Sequence, residues 1–484
     1  MSFLDFFRTK KEKKRARPPG RRAFDGAKTD RFFEGWTTVN RSMDAELYLA
    51  LRTLRARSRD LSINDDYMTR FLNLVRTNVV GSKGIGLQNR AREADGTLDT
   101  RANELVENAF RDWGRVGVCT LDGRCSWIDA QNLFAESAAR DGEALVRMVK
   151  DPAVNAHGFA LQFVDVDHLD ETFNENPPGG NQIRLSIEYN RADRAVAYHI
   201  LNQHPNTLLG NYDPNPRTRV PAEEIIHGFI TRRAAQGRGY PWSAQGLRRL
   251  KMLAGYEEAE LIAARVSASK MGFFNEPEGE GYEGDDVEGW DPITYADPGT
   301  FDKLPFGVEF NQWDPEHPVS AYEPFVLSIL RGAASGFGCS YVSLSGDLRG
   351  VSYSSIRQGN LDERDFWRTL QTWMIEHFAA PVFFNWLKMA LLTGSVPLPP
   401  GKFDKFHAPV WRPRGWTWVD PYKEVNANEK AVKTKQKSLQ AVVGEQGGDV
   451  EEILLDNQIA EELAAKFNTT LPLLEGGDNG KATP

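Results

Sequence analysis

Apolar residues recur at helical spacing in two segments near the start of the chain, DAELYLALRTLRARSRDL and DDYMTRFLNLVRTNVVG. Gly81 and Gly84 end the second segment, and a third helix is predicted over about residues 99 to 116. From residue 143 to 201 the pattern changes to strands in ALVRMVKD, FALQFVDVD, IRLSIEYN and AVAYHIL, which are separated by turn residues. This order predicts a mixed α+β domain over about residues 40 to 240.

Two predicted helices then enclose a small acidic module. The first is SAQGLRRLKMLAGYEEAELIAARVSASKMG, with Ser243 as its N-cap and Gly272 as its end. The second runs from Pro324 to Gly336. Between them, residues 275 to 291 hold eight acids and no base, followed by the short strand-like pieces GTFDKL and VEFNQW and several prolines. The arrangement indicates a stalk that enters and leaves a compact head.

The next stretch, YVSLSGDLRGVSYSSIRQ, is rich in Gly and Ser and leads into a long helix, as a phosphate-binding loop would. The same features have a mechanical explanation, since glycines allow tight turns and Ser354 or Ser355 can cap the helix. If continuous from Ser355 to Leu392, that helix is about 57 Å long, with a kink at Pro381. Its apolar stripe, which is typical of a core, consists of Phe366, Leu370, Trp373, Met374, Phe378, Val382, Trp386 and Leu391. The irregular HAPVWRPRGWTWVDPYKE and a polar helical tail follow.

Composition places the chain among ordinary soluble proteins, with 484 residues, 40% hydrophobic and 26% charged. This length suffices for about three domains. There is no apolar run of the ~18 residues that cross a bilayer and no signal-peptide pattern, so we expect a cytosolic product without a membrane partner. Cys119, Cys125 and Cys339 offer neither a disulfide framework nor zinc spacing, so we expect unpaired, partly buried thiols.

The net charge of −8 conceals an asymmetry. Residues 1 to 22 contain nine Lys or Arg against Asp5 and Glu12, so they carry +7 and the remainder carries −15. The basic segment is either a solvated, disordered extension or a contact for nucleic acid or an acidic partner.

A search for catalytic motifs finds little. There is no GxxxxGK[ST] and no GxSxG, and GSKGIG lacks the Lys-Ser pair of a phosphate loop. The best metal-like cluster is Asp165, Asp167 and His168 in FVDVDHLDE, although acids that close a strand are common without a metal and the structural interpretation is favoured. Glu143 in RDGEALV is interpreted as a cap or a salt-bridge partner.

A series of blocks resembles the lambda-type portal proteins of tailed bacteriophages, in consistent order over about residues 50 to 425. The blocks are LRARSRDLSIND with NVVGSKGIGLQ, RDGEALV, VPAEEIIHGF, RGYPWSAQGLRRLKMLAGYEEAELIAA, DPGTFDKLPFG, WDPEHPVSAYEPFVLSILRGAASGFG, LSGDLRGVSYSSIRQGNLDERDFWRTLQ and RPRGWTWVDPYKE. One departure is GFGCSYVSL, where Cys339 and Ser340 stand at positions at which other small residues or proline are expected.

The resemblance implies an α+β portal fold with an α/β wing, a two-helix stem, a small loop-rich/β clip, a long spine helix and a helical C-terminal crown. Mapped onto this chain, the parts are a basic, disordered tail (1–39), the wing (40–242), a stem helix (243–274), the clip (275–320), a second stem helix (321–338), the tunnel loop (339–356), the spine helix with the remainder of the wing (357–424), and the crown with the C-terminal tail (425–484).

The resemblance also implies a function. We expect a ring of identical subunits, typically twelve, at one capsid vertex of the virion, assembled in the host cytoplasm. It would be the channel for packaging and ejection of double-stranded DNA and would contact the major capsid protein, the terminase large subunit and head-tail connector proteins. No enzymatic activity and no cofactor or metal is implied.

Two groups of site residues follow from the resemblance. The DNA-facing tunnel loop comprises Ser345, Gly346, Asp347, Leu348, Arg349, Gly350 and Val351, with Arg349 near its tip. The partner-docking clip comprises Glu276, Glu278, Glu280, Glu283, Asp285, Asp286 and Glu288. The alternatives are a metal-dependent nuclease using Asp165, Asp167 and His168, and a monomeric nucleic-acid-binding adaptor acting through its basic tail.

Overall fold

The computed structural model describes residues 31, 34–207, 216–268, 272–275, 309–312, 321–350, 352–416, 421–445, 448 and 450–466. The chain divides into two compact units, Met1–Ser42 and Met43–Pro484. All elements below belong to the second unit, which mixes helices with antiparallel sheets and confirms the α+β class. Among the described helices, none has the length and apolar character needed to span a membrane.

The three predicted helices near the start are present as α1 (Met43–Asn64), α2 (Asp66–Val75) and α3 (Thr100–Trp113). A π turn, Arg76–Val80, extends α2 to Gly81. A fourth helix, α4 (Trp127–Asp141), was missed by the sequence analysis. Its signal was the capping box at its start, where Ser126 and Asp129 exchange hydrogen bonds with each other's backbone.

The described strands form four antiparallel sheets, and three of them are as follows. Strand β2 (Glu143–Lys150) lies between β3 (Phe159–Val164) and β8 (Ile225–Phe229). The second sheet has the order β4-β5-β6-β7, and its strands are Gln182–Arg184, Ile187–Tyr189, Ala195–Leu201 and Arg217–Pro221. A separate pair joins β1 (Gly86–Asn89) to β11 (Pro409–Arg412), so the segment predicted to be irregular contains a strand.

The prediction of one strand over IRLSIEYN is wrong, because this segment is the β4–β5 hairpin. Leu185 and Ser186 form its two-residue turn with φ of 50° and 69°, the left-handed conformation that tight hairpins require. Neither residue is the usual Gly or Asn. Tertiary contacts hold the turn instead, because Ser186 Oγ donates to Asp170 O (2.7 Å) and Leu185 N donates to Asn174 Oδ1 (2.9 Å).

The predicted long helix is confirmed as α8 (Tyr353–Met374), a π turn (Ile375–Ala379) and α9 (Ala380–Thr393). The π turn ends two residues before Pro381, which has no N–H for the regular hydrogen bond and crowds the carbonyl one turn back. The expected cap at Ser354 or Ser355 is wrong, since the helix begins at Tyr353 and both serines lie in its first turn.

The apolar stripe of the long helix forms the main core, as predicted. Met374, Phe378, Val382 and Trp386 are fully buried. They meet aromatic residues of α3 and α4, for example in Phe134–Phe378 and Phe110–Trp386 ring pairs with centroids 4.2 and 4.9 Å apart. Dense aromatic packing of this kind makes the long helix a rigid support for the loop that precedes it in the chain.

The two enclosing helices are α5 (Leu247–Ala268) and α6 (Tyr322–Phe337). The predicted N-cap of the first is wrong, because Ser243 lies in the turn before α5. At the other end, the described part of the helix ends at Ala268, and Gly272 begins strand β9. Strand β9 (Gly272–Asn275) pairs with β10 (Glu309–Gln312), which confirms the strand in VEFNQW. The piece GTFDKL lies outside the described residues.

The remaining helices are short or C-terminal. They are α7 (Tyr341–Ser345), α10 (Phe403–Phe406), α11 (Pro421–Lys433), α12 (Leu439–Gly444) and α13 (Val450–Lys466). The three cysteines are free thiols, with Cys119 and Cys339 buried, as expected.

A carboxylate at the start of β2 forms the centre of a buried polar network. Glu143 is completely buried. Its two oxygens accept hydrogen bonds from Arg55 Nη2 (2.9 Å), Arg238 Nη2 (2.6 Å), His227 Nε2 (2.9 Å) and Gly239 N (3.0 Å). The interpretation of Glu143 as a salt-bridge partner is confirmed, and the network connects α1, β2, β8 and the segment before α5.

The close approach of two backbone segments, around Gly142 and around Gly239, makes this network possible. A Cβ on Gly142 would lie 2.1 Å from the Tyr240 carbonyl carbon, and one on Gly239 would lie 2.0 Å from Gly142 O. Gly142 also has φ of +92°, where side chains are strained. Two glycines therefore let the chain around residue 239 reach the end of β2.

The protonation states follow from these contacts. Burial by itself would raise the pKa of Glu143, but the charge of Arg238 and the hydrogen bond from His227 outweigh it and hold the pKa well below its usual value. Burial lowers the pKa of His227, which is therefore neutral at pH 7 and donates through Nε2–H to the carboxylate.

We predict that Glu143→Gln lowers the free energy of unfolding by about 3–5 kcal/mol, because it leaves buried arginine charge without its partner. Urea unfolding followed by circular dichroism measures the change. The matched control is Glu224→Gln, which breaks the half-exposed pair with Arg147 (3.0 Å) and should cost less than about 1 kcal/mol. Equal losses in the two variants would contradict a central role for Glu143.

The same network predicts acid sensitivity. Both pKa values are lowered on folding, so the unfolded chain takes up protons first and stability is lost as pH falls. The loss begins below about pH 6.5 for His227 and continues below about pH 4.3 for Glu143.

Candidate functional site

The loop between α6 and α8 begins with the short helix α7, which neighbouring elements hold in place. Ser340 caps α7, since its Oγ accepts from Ser343 N (3.1 Å). Glu363 of α8 accepts from Ser340 N (3.3 Å) and Ser343 Oγ (2.8 Å). Arg70 of α2 donates to Ser343 O (3.1 Å). The start of the loop is thus attached to both the long helix and α2.

A tight turn follows α7 and is organised by Asp347. Its Oδ1 accepts from Arg349 N and Arg349 Nε (3.0 Å each), and its Oδ2 accepts from Arg349 Nη2 (3.0 Å) and Tyr341 OH (3.1 Å). Gly346 and Gly350 flank the turn with φ of +73° and +68°. The hydrogen bonds from Arg349 lower the pKa of Asp347, which is ionised at neutral pH.

Arg349 projects from this turn and also contacts α6. Its side chain is 73% exposed, and Nη1 lies 3.0 Å from Glu323 Oε1 at the start of α6. The guanidinium is therefore shared between two acids, and Arg349, Asp347 and Glu323 together carry −1. Exposed pairs of this kind are weak because water competes for both partners. A phosphate oxygen could replace Glu323 without disrupting the turn that Asp347 holds.

The structure accounts for only part of the predicted site. Six tunnel-loop residues, from Ser345 to Gly350, lie together in this one turn, and Leu348 at its tip is exposed. Val351 lies outside the described residues. The predicted clip acids Glu276, Glu278, Glu280, Glu283, Asp285, Asp286 and Glu288 also lie outside them. Sequence reasoning missed Glu323, because a pairing across 26 residues leaves no local signal.

The metal-like cluster contains a different histidine from the one that was predicted. His204, not His168, approaches the two acids, with Nε2 3.4 Å from Asp167 Oδ2. His168 instead places Nδ1 2.5 Å from Leu201 O. Sequence spacing favoured His168 because it is adjacent to Asp167, whereas His204 follows strand β6.

Arginines already engage the carboxylates of this cluster. Arg59 donates to Asp165 Oδ1 (2.8 Å) and Asp167 Oδ2 (2.7 Å), and Arg55 pairs with Asp167 Oδ1. Burial would raise the pKa of both aspartates, but hydrogen bonds and the arginine charges lower it. A cavity of about 370 Å³ adjoins Asp167, and Arg55 and Arg59 line it as well. A divalent cation would have to displace both guanidiniums against their charge.

Comparison with known proteins decides the family. The family model described as phage portal protein, lambda family, matches residues 29–371. The chain belongs to this family of portal proteins. The resemblance found in the sequence motifs is thereby confirmed, and the names of the matched relatives state a portal role and no enzymatic activity.

The similarity to individual portal proteins extends over nearly the whole chain. The probable portal protein of Halomonas phage phiHAP-1 is 34% identical, over 93% of this chain and 88% of its own length. Portal protein B of Escherichia phage lambda is 22% identical, over 86% and 85%. The portal protein of Escherichia phage N15 is also 22% identical, over 89% and 87%.

Solved structures give a weaker similarity. A chain from the neck of an empty gene transfer agent (GTA) particle aligns with a TM-score of 0.44 at 12% identity, covering 79% of this chain and 90% of that one. A chain from the virion of a native GTA particle aligns with a TM-score of 0.40 at 10% identity, covering 81% and 91%.

Proposed function

We propose that this portal protein assembles into a closed ring of twelve identical subunits at one vertex of a phage capsid, and that double-stranded DNA enters and leaves through the ring. The observation that carries the proposal is the portal family match over residues 29–371. A heterologous interface that closes on itself creates a channel without catalytic residues. The ring would be assembled in the host cytoplasm and remain in the virion.

Exposed apolar side chains on α5 and α6 support subunit contacts. Leu250 and Leu253 at the base of α5 are buried in the core, whereas Met252, Leu261 and Ile262 are exposed, as is Phe325 on α6. Met252 and Leu261 lie on opposite faces of α5, as suits a helix in a ring, which has a neighbour on each side, and large apolar side chains exposed in this way suit surfaces that a partner covers. In the proposed ring, that partner is the next subunit.

We assign the described elements to the parts of a portal subunit. Helices α5 and α6 form the stem, and the paired strands β9 and β10 mark the entrance to the clip, residues 275–320. The other sheets and α1–α4 belong to the wing, the segment of residues 339–356, which contains α7, is the tunnel loop, and α8–α9 form the spine. Helices α11–α13 belong to the crown, and residues 1–39 form the basic tail.

The mass of the assembled particle tests whether the ring forms. Twelve copies of the 54.4-kDa chain form a particle of about 650 kDa. We expect native mass spectrometry of the purified full chain to detect that species and negative-stain images to show rings. Monomers alone under every assembly condition would contradict the proposal and favour the monomeric adaptor.

In the assembled ring, the tunnel loop faces DNA and Arg349 contacts its backbone weakly. The acidic surroundings limit this contact, because like charges repel phosphates at short range and prevent tight, salt-dependent binding. Glu323 competes with DNA for the same guanidinium, since it pairs with Arg349 at 3.0 Å. The loop can then touch DNA without holding it.

We predict opposite effects of two substitutions that break the same salt bridge. Arg349→Gln should reduce DNA retention in filled heads, because the contacting charge is lost. Glu323→Gln should increase it or slow DNA passage, because Arg349 is released for phosphates. Packaging assays with DNA quantified per head measure both effects.

The matched control for these variants is Arg124→Gln, since Arg124 N donates to Asp122 Oδ1 (3.2 Å) in a turn of similar form. If the Glu323–Arg349 pair had only a structural role, both variants would change DNA retention in the same direction. That result would refute the DNA contact.

The clip acids are proposed to dock the terminase large subunit during packaging and head-tail connector proteins afterwards, while the wing contacts the major capsid protein. A run of eight acids without a base suits a basic partner surface.

We predict that Asp285→Asn, Asp286→Asn and Glu288→Gln combined weaken terminase binding, most strongly at low salt. The control neutralises the exposed acids Asp456, Glu461 and Glu462 of α13. Pull-down of the terminase large subunit by purified rings is the measurement. Equal binding by both triple variants and the unmodified ring would show that the clip acids do not contribute to the interface.

A further inference from the structure

Four cations lie at the base of the α5–α6 pair, where these helices meet the main core. Arg248, Arg249 and Lys251 lie at the start of α5, and Arg331 lies in the second half of α6. All four residues are exposed, although Leu250 between them is buried. We call the four cations the stem-base patch.

The contact between the two helices brings the four cations to the same level. A Cβ on Gly332 would lie 1.7 Å from Arg249 Nη1, so this guanidinium lies directly against the backbone of α6, next to Arg331. Arg248 and Lys251 are three residues apart and therefore share one face of α5. The stem-base patch thus extends from the outer face of α5 across the junction onto α6.

No acid neutralises the stem-base patch within the described part of the subunit. None of its four side chains donates a hydrogen bond or forms an ion pair there. Residues 245–256 and 324–341 contain neither Asp nor Glu, so no acid lies three or four positions away on the same helix. The Arg331 guanidinium carbon lies 5.5 Å from the centre of the Tyr341 ring, and a contact with a neutral ring leaves the positive charge in place.

The same two helices of a neighbouring subunit cannot supply acids at this level either. In the proposed ring, the subunits are related by rotation about one axis, and rotation keeps each residue at its height along that axis. Each stem-base patch is therefore flanked by the patches of its neighbours, which repel it. A closed ring gathers these charges into a basic belt, and an anionic partner would relieve the repulsion.

The stem-base patch adjoins the proposed tunnel loop. The Tyr341 ring beneath Arg331 belongs to α7, and Tyr341 OH donates to Asp347 Oδ2 (3.1 Å) in the turn that carries Arg349. DNA that passes the tunnel loop would therefore come close to the patch. Among the proposed partners of the ring, DNA is the one whose backbone is anionic at every repeat.

We propose that the stem-base patch binds the phosphodiester backbone of double-stranded DNA without sequence preference, at a level of the channel next to the tunnel loop. The proposal rests on the proposed role of the ring as a DNA channel. Lys and Arg side chains that no acid engages are able to replace the counterions of a phosphate. Contacts to phosphates alone do not distinguish base sequences, as a channel for a whole genome requires.

The test compares assembled rings of the full chain. Arg248→Gln with Lys251→Gln removes two charges from the outer face of α5 and leaves the contact of Arg249 with α6 unchanged. The control, Arg57→Gln with Arg101→Gln, removes two exposed cations of α1 and α3 that also lack an ion pair among the described residues. Binding of a labelled duplex of about 25 bp is measured by fluorescence anisotropy between about 50 and 200 mM salt, where counterion release is readily detected.

We expect the patch variant to bind the duplex at least about tenfold more weakly at the lowest salt and to reduce the slope of log K against log salt by about 2. The control should match the unmodified ring. Arg248→Lys with Lys251→Arg should retain most of the affinity and slope, because both charges are kept. The basic segment of residues 1–22 also attracts DNA, but all variants share it.

The stability of the ring without DNA gives an independent measurement. If neighbouring patches repel one another, the patch variant should resist dissociation by urea better than the unmodified ring at low salt. The difference should become smaller as salt screens the charges. If the patch instead forms ion pairs with acids elsewhere on the neighbouring subunit, the variant ring should dissociate at a lower urea concentration.

Two results would overturn the proposal. One is equal duplex binding by the patch variant and the control. The other is a less stable ring with unchanged duplex affinity, which would assign the patch to the subunit interface. Native mass spectrometry of each sample separates these outcomes from failure of the proposed function, since absence of rings in the unmodified protein would refute the ring, whereas the duplex affinities would still test the DNA contact.

Discussion

The pairing of Glu143 with Arg238 determines how the sheet region is assembled. A buried carboxylate is costly unless every lone pair has a partner, and Glu143 meets this demand with Arg55, His227 and the Gly239 amide as well. Arg238 also donates to the carbonyl oxygens of Val166, Leu169 and Leu185, so the same guanidinium supports the hairpin turn of β4–β5. A single ion pair thereby sets the positions of α1, both larger sheets and the start of α5.

The apolar packing of the long helix is a second constraint on the structure. Its buried stripe packs on α3 and α4, while Glu363 near its first turns holds the short helix α7. The proposed tunnel loop is consequently attached to a helix whose later turns pack into the main core. The turn from Gly346 to Gly350 is largely exposed, with the side chains of Leu348 and Arg349 in solvent. Such a mount lets a small charged contact act at a defined position instead of moving with a free loop.

The acids around Arg349 limit the strength of the contact proposed for it. At the loop tip, Arg349 is shared by Asp347 and Glu323, which suits the proposed contact, because a guanidinium that already has acidic partners binds a phosphate weakly and can release DNA as it moves.

Local pattern alone determined much of this protein. The helical stripes, the acidic run, the turn glycines and the order of family motifs were sufficient to predict the α+β class, the long helix and the portal family. The sequence could not reveal the β4–β5 turn at Leu185 and Ser186, the approach of His204 instead of His168, or the pairing of Glu323 with Arg349. Each of these depends on residues far apart in the chain, and their contacts arise only when packing brings separate elements together. The surroundings of Trp416 have the same origin, since Arg364 and Arg414 are 50 positions apart and both lie over its ring because the segment after β11 returns to the long helix.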